Sequence, residues 1–479
     1  MIADYLENRT FDEIRPGDSA SLARTLTGQD LHLFAAVSGD VNPTHVDEGY
    51  ARHFLSGRPV GHSLWSGALI SGVLGTELPG PGTAYVSQDL RFLGPVRVGD
   101  TVTATVTARA KRTDGRIVEF DCRCVNQHGE AVAEGVAVVR APAEHVRVPC
   151  PQPPEVAVQA HSKYQALLEL CRGLAPARAA VAYPCDEASL AAAVEAAGAG
   201  LIEPVLVGPP DRISETAALH RLDAGRFRVV EAADDHEAAA RAVELVRRGE
   251  AEMLVKGALH TDVLLHEVVR RETGLRTERR LSHAFIMDVP TYHKPLVLTD
   301  CAINIYPTLE DKVSICQNAI DLAHTLGVAL PKVAVLSAVE TVNPKITATL
   351  EASALCKMAD RGQITGGLVD GPLAMDNAIS KAAAEVKHIR SEVAGDADVL
   401  LVPDLEAGNM LAKQLTFMAN ADAAGIVLGA RVPIVLTSRS DSVQARLASC
   451  AVGLLVAQAR RAGLPGGGNI AVPDRKEER

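Results

Sequence analysis

The chain has 479 residues, 47% of them hydrophobic, with 59 acidic against 48 basic side chains and a formal net charge of −11. That length exceeds one ordinary core and predicts two or three domains, and the negative charge argues against nucleic acid or an anionic membrane as the main partner. No run of about 20 apolar residues offers a membrane-spanning helix, MIADYLENRT is too polar for a signal peptide, and the cysteines lack framework spacing, so reduced thiols and a cytoplasmic location are expected.

Residues 22–140 read as helix, loop, helix and then strands. The run FAAVSGDVNPTH (34–45) puts Gly39, Asp40, Asn42, Pro43 and His45 directly after an apolar helical stretch. Gly39 can end that helix, Pro43 holds Asn42 extended, and His45 precedes a new helix, VDEGYARHF. On spacing alone this is equally a helix cap followed by an Asx turn. The segment HSLWSGALISGVLGTEL (62–78) has helical length, and its Ser66, Gly67, Ala68, Ser71 and Gly72 predict a helix closely surrounded by other elements, since each Gly costs about 1 kcal/mol in propensity. His62 and Ser63 open it with a polar pair able to face the same loop. DTVTATVTARAKR, RIVEFDCRCVNQ and EAVAEGVAVVRA then alternate as strands joined by Asp-Gly or His-Gly turns. One long helix with an antiparallel meander is an α+β pattern.

A Pro-rich stretch reads as a stiff linker over 146–162, separating a first domain, 1–145, from a second, 163–479. The rhythm then changes to strand–helix units, with apolar runs at 179–184, 203–209, 227–232, 251–257, 294–300, 332–339, 397–404, 424–430 and 432–438. Continuous apolar strands between helices predict an α/β/α sandwich on a mainly parallel sheet. The length suggests two α/β lobes with a cleft, ligands lying beyond the strand carboxyl ends. Five polar clusters follow such runs: KGALHTD, SAVETVNP, GGLVDGPLAMDNAIS, VPDLEAGNMLAKQL and TSRSDS. Any one reads as a helix cap. Together, with Lys256 and Arg439, they favour a phosphate-bearing ligand at helix N-termini. Neither a Walker P-loop nor G-x-G-x-x-G is present, and no metal-ligand set is read.

SGDVNPTHVDEGYA, RPVGHSLWSGALIS and LPGPGTAYVSQDLRFLGPVRVGDTVTATV closely resemble the MaoC-like, R-specific enoyl-CoA hydratases, over nearly all of residues 10–140. The resemblance implies a hotdog fold, a long helix wrapped by an antiparallel sheet, usually paired into a dimer. It implies that Asp40 and His45 bind and activate the water that adds to a trans-2-enoyl thioester, giving the (R)-3-hydroxyacyl-CoA, while Asn42 orients the loop. The chemistry fits: a carboxylate and an imidazole around one water supply both acid and base. Backbone donors for the enolate-like oxygen are expected from Gly61 and the helix start at His62 and Ser63. The family usually shows His-Gly-Met where this chain has His62-Ser63-Leu64.

The clusters of the larger half resemble the phosphate acetyl/butyryltransferases over roughly residues 163–462, VPDLEAGNMLAKQL and LTSRSDS being the most specific signatures and GPLAMDNAIS looking more like the butyryl branch. This implies reversible acyl transfer between coenzyme A and inorganic phosphate. Ser438 would stabilise charge near the leaving sulfur, and Arg439 would hold phosphate or the CoA anion. Lys256, His260, Thr261, Asn409 and Asp441 complete the expected substrate-binding set. Two positions depart from the acetyl branch: Ala445 replaces an acid seven residues after Ser438, leaving Asp441 as the nearest carboxylate, and an Arg is replaced near Thr416. The expectation is a bifunctional acyl-CoA enzyme, with a catalytically inactive acyl-CoA-sensing or oligomerising C-terminal module as the alternative. No permanent cofactor is expected; CoA thioesters and phosphate are the substrates, and a homo-oligomer is implied by family resemblance alone.

Overall fold

The computed structural model describes residues 5–47, 49–51, 57–151, 156, 162–436 and 441–463. The chain divides into two compact units, Met1–Val158 and Gln159–Arg479.

The first unit contains the strands β1 (Tyr5–Glu7), β2 (Ser19–Thr25), β3 (Ala84–Phe92), β4 (Thr101–Arg112), β5 (Ile117–Val125), β6 (Ala131–Arg140) and β7 (Arg147–Pro149). Five form one antiparallel sheet in the order β2-β4-β5-β6-β3, and β1 pairs with β7. In β4 the threonines alternate with Val102, Ala104, Val106 and Ala108, all buried, as the two-residue period of a one-sided sheet requires. Against that face lies the helix Ser63–Thr76, contributing Trp65, Leu69, Ile70, Val73 and Leu74 to a core shared with Phe120. Each such side chain is worth about 1.5–3 kcal/mol when buried. A Cβ on Gly67 would stand 3.1 Å from the Leu90 side chain, so the small residues of this helix let the sheet wrap it closely. This is the hotdog arrangement. Of the segment read as a linker, residues 147–149 form β7, while 152–155 and 157–161 lie outside the described residues.

The second unit is built on an eleven-stranded sheet. Its strands are β8 (Ala177–Ala182), β9 (Ile202–Gly208), β10 (Arg228–Glu231), β11 (Met253–Lys256), β12 (Ser282–Asp288), β13 (Leu296–Thr299), β14 (Lys332–Leu336), β15 (Leu368–Leu373), β16 (Val399–Leu401), β17 (Asp422–Leu428) and β18 (Ile434–Val435). The order is β10-β9-β8-β11-β18-β17-β12-β13-β16-β14-β15. Each apolar run named above contains or overlaps a strand; β12 and β15 were not among them. The pairings from β10 to β18 and from β13 to β15 are parallel, whereas β18–β17, β17–β12 and β12–β13 are antiparallel. Two parallel blocks of opposite direction therefore flank the antiparallel pair β17–β12 in one continuous sheet.

The lobes read from the sequence exist as helix packing on one face. There, the helices Asp235–Arg247 and Thr261–Val269 form one cluster with Leu254 and Val427. The helices Lys381–Val386 and Leu405–Met418 form another with Met287 and Leu400. On the other face the long helix Val443–Arg461 enters both remaining clusters, through Val452 in one and Leu454 in the other, and so bridges the blocks.

Candidate active sites

In the first unit the site is made where the helix Gly28–Ser38 stops. Gly39 adopts φ 75°, a left-handed conformation, and its N–H closes on the Ala35 carbonyl at 2.8 Å. Asp40 N–H then donates to Ser38 Oγ at 3.2 Å, and Asn42 N–H to Asp40 Oδ1 at 3.3 Å. Asn42 Oδ1 accepts from the N–H and the hydroxyl of Thr44, at 3.1 and 3.0 Å, and so caps the short helix Pro43–Val46. The loop's shape is thus held by its own polar side chains, Asn42 among them. His45 lies inside this turn instead of ahead of the helix expected over 46–54, of which residues 49–51 are helical and 48 and 52–56 lie outside the described residues.

His45 Nδ1 lies 2.7 Å from the Val60 carbonyl. A carbonyl only accepts, so Nδ1 carries the proton and Nε2 presents a lone pair. That Nε2 is 3.9 Å from Asp40 Oδ2, with the carboxylate half exposed and the imidazole 14% exposed. The separation is too long for a direct hydrogen bond but matches a water bonded to both at about 2.8 Å. A cavity lined by Leu31, His32, Val46 and Val98 opens beside His45.

The other two expected contributors behave differently. His62 is buried, 4% exposed, and its Nε2–H donates to the backbone carbonyl of Asp40 at 3.0 Å. Its ring stacks on His45 with centroids 3.9 Å apart, and Phe34 covers it at 4.9 Å. His62 is therefore not open to a substrate; it clamps the loop from below. Its Nδ1 is buried without a hydrogen-bond partner among the described residues. The Gly61 amide is also unavailable as an oxyanion donor, because it donates to Val96 O at 2.7 Å in the Val60–Arg97 bridge. Ser63 is exposed at the first helical position, where helix geometry leaves its amide and that of Leu64 without intrahelical partners. Asp40, His45 and His62 each bring one donor atom within 4.8 Å of the others, a grouping able to hold a metal ion; one nitrogen of each imidazole is bonded to a carbonyl, which leaves the other as the potential ligand atom.

In the second unit, strand direction separates the expected clusters. β11 and β18 run parallel and end together, so Lys256, His260, Thr261 and Asp441 belong to one end of the sheet. β13, β14, β15 and β16 run the opposite way and end at the other. The clusters at 337–344 and 402–415, and the part of 366–380 that follows β15, therefore lie at the far end, which corrects the expectation that all five converge. Lys256 Nζ donates to Gly257 O and Leu259 O, both at 3.2 Å, closing its own loop. His260 and Thr261 are exposed at the start of their helix. Asn409 donates to Cys301 O at 3.3 Å, and a Cβ on Gly408 would stand 2.8 Å from Asp300 O. The Ala-Gly-Asn motif thus seats its helix on the Asp300–Cys301 backbone. Ser438 and Arg439 lie outside the described residues.

Ala445 occupies the first turn of Val443–Arg461, its N–H bonded to Ser442 Oγ at 3.1 Å. It lines a cavity of about 140 Å³ with Leu167, Ile286, Leu326 and Ala448. A carboxylate there would face mainly apolar walls, so Ala suits the position.

Residues 234–453 match the family Phosphate acetyl/butaryl transferase, and residues 15–124 match the MaoC like domain. A phosphate acetyltransferase of Rhizobium meliloti is 62% identical over 301 residues, covering 63% of this chain and 95% of that protein. The chain belongs to the phosphate acetyl/butyryltransferase family. Among solved structures, a branched-chain phosphotransacylase from Enterococcus faecalis V583 is similar at 32% identity, over 58% of this chain and 98% of that one, with a TM-score of 0.52. An R-hydratase from Pseudomonas aeruginosa is 37% identical, over 32% of this chain and 99% of that one, with a TM-score of 0.31. This member of the family thus also carries a MaoC like domain ahead of its transferase-family region. Among the described residues no helix is long and apolar enough to cross a membrane.

Proposed function

We propose that the chain is a bifunctional acyl-CoA enzyme. The first unit hydrates trans-2-enoyl-CoA to (R)-3-hydroxyacyl-CoA, and the second exchanges an acyl group between CoA and inorganic phosphate. The observation that carries the hydratase half is the 3.9 Å gap between His45 Nε2 and Asp40 Oδ2. A water held there loses a proton as its oxygen bonds to C3 of the enoyl thioester. The pair returns a proton to C2, so water is added overall and the pair is restored. Negative charge passing through the thioester oxygen is met by the amides of Ser63 and Leu64 at the helix start.

The transferase half rests on the 62% identity that spans 95% of a phosphate acetyltransferase. A phosphate oxygen attacks the thioester carbonyl and CoA thiolate leaves; by family resemblance Ser438 would stabilise charge near the leaving sulfur and Arg439 would hold the phosphate or the CoA anion. Lys256, His260, Thr261 and Asp441 would line that end of the sheet; Asn409 acts through the fold. The alternative, a C-terminal module that binds acyl-CoA without turnover, draws support from Ala445 in its apolar cavity.

One assay separates the two: free thiol released from acetyl-, propionyl- and butyryl-CoA by the intact protein, with and without phosphate. Phosphate-dependent release is expected, and the preferred chain length names the branch. Binding of CoA esters with no phosphate-dependent release would leave the second unit as a sensor and the hydratase as the chain's chemistry.

A further inference from the structure

A cavity of about 320 Å³ opens at the end of the large sheet opposite Lys256 and Asp441. Three arginines line it from separate segments: Arg279 from the approach to β12, Arg431 from the turn after β17, and Arg460 from the last turn of Val443–Arg461. The carboxylates on its wall are Glu278 and Asp321. Glu278 is exposed. Asp321 is already engaged by Arg279 and by Gln317 Nε2 at 3.1 Å. Arg460 makes no salt bridge among the described residues; its Nη2 donates to the Ala430 carbonyl at 3.0 Å. The Arg431 guanidinium has no partner among them.

The electrostatics point the same way. Burial, and then the charge of Arg279, hold Arg460 below the ordinary arginine range. Burial also raises Asp321, against the pull of Arg279. Arg460 is partly buried with no carboxylate of its own, and the half-buried Asp321 is spent on Arg279, so the positive charge there is under-compensated, and an anion between the arginines would supply the missing charge. Guanidinium forks pair two at a time with oxyanions. Arginines from three separate segments around one cavity suit a tetrahedral phosphoryl group better than a planar carboxylate, and the volume falls within that of small-molecule sites.

We propose that this cavity binds a small phosphate-bearing anion at a site separate from the acyl-transfer centre. The test is calorimetric titration of the full-length protein with inorganic pyrophosphate, in the wild type and in Arg460→Gln, Arg431→Gln and Lys256→Gln. Saturable binding is expected, weakened at least tenfold in both arginine variants and kept in Lys256→Gln. Orthophosphate and ATP titrated alongside distinguish a free inorganic anion from the phosphates of a larger molecule; either one, lost with the arginines, supports the site. No binding in the wild type, binding in both arginine variants as tight as in the wild type, or loss in Lys256→Gln alone would each overturn it. Arg431 is exposed, so its variant keeps the test decisive even if Arg460→Gln fails to fold.

Discussion

Asp40→Asn keeps the oxygen that accepts from the Asn42 amide, so the loop should hold its shape while the carboxylate of the pair is gone. Hydration of a trans-2-enoyl-CoA, followed by loss of the conjugated-thioester absorbance, should fall by about 10²–10⁴-fold, with the folding transition unchanged. Near-normal turnover would remove Asp40 from the reaction. His62→Ala acts differently, because His62 reaches the chemistry through its neighbours. It leaves the Asp40 carbonyl unpaired and removes the ring behind His45. kcat should drop with little change in KM, alongside a stability loss of about 1–3 kcal/mol in chemical denaturation; an unchanged kcat would make His62 purely structural. The proximity of Asp40 and His45 was legible because the motif keeps them five residues apart. That His62 faces the loop was legible, but its burial beneath a segment 22 residues away was not, since that is decided by tertiary packing. The three cavity arginines were invisible for the same reason.

Among the elements, the Leu405–Met418 helix depends on its glycine. Gly408→Ala would place a methyl 2.8 Å from the Asp300 carbonyl and from the Val402 side chain, pushing the helix off the sheet. A loss of about 1–3 kcal/mol is expected despite the better helix propensity of alanine; a stabilised variant would show that the contact relaxes freely. Asp396 ties three strand starts together, accepting from Lys332 Nζ at 2.6 Å and from His293 Nε2 at 2.9 Å, with Lys294 Nζ at 3.0 Å. Burial opposes its charge, but the bonds from Lys332, Lys294 and His293 outweigh it and hold the carboxyl far below the usual range. The folded value lies below the unfolded one, so its stabilisation is complete above about pH 4 and is lost as pH falls below that. Asp396→Asn should therefore flatten the acid side of the stability–pH curve, and an unchanged slope would show that other carboxylates govern it. Strand reading succeeded where runs were continuously apolar. It failed at β12, SHAFIMD, whose Ser282 and His283 are buried polar residues, and at β15, LVDGPL, where Gly-Pro resembles a turn.

For the whole molecule, the two compact units predict that each can be produced alone. The first is best cut after residue 151, not after 145, because Asn8 exchanges hydrogen bonds with Val146 and β1 pairs with Arg147–Pro149. Residues 1–145 should melt lower than 1–151 by about 2–8 °C if roughly 1 kcal/mol is lost; equal melting temperatures would make that seam irrelevant. The two-domain plan was legible from the change of period near the Pro-rich stretch. The reversal of the large sheet was not, because strand direction follows from pairings distant in sequence. That reversal matters during synthesis. β18, Ile434–Val435, lies between β11 and β17, so β11 leaves the ribosome long before the neighbour that will cover it. Throughout that interval a nascent chain carries an open edge of buried-type residues, a template for pairing with other chains. A message truncated before residue 434 should therefore yield an aggregating product instead of a smaller soluble one.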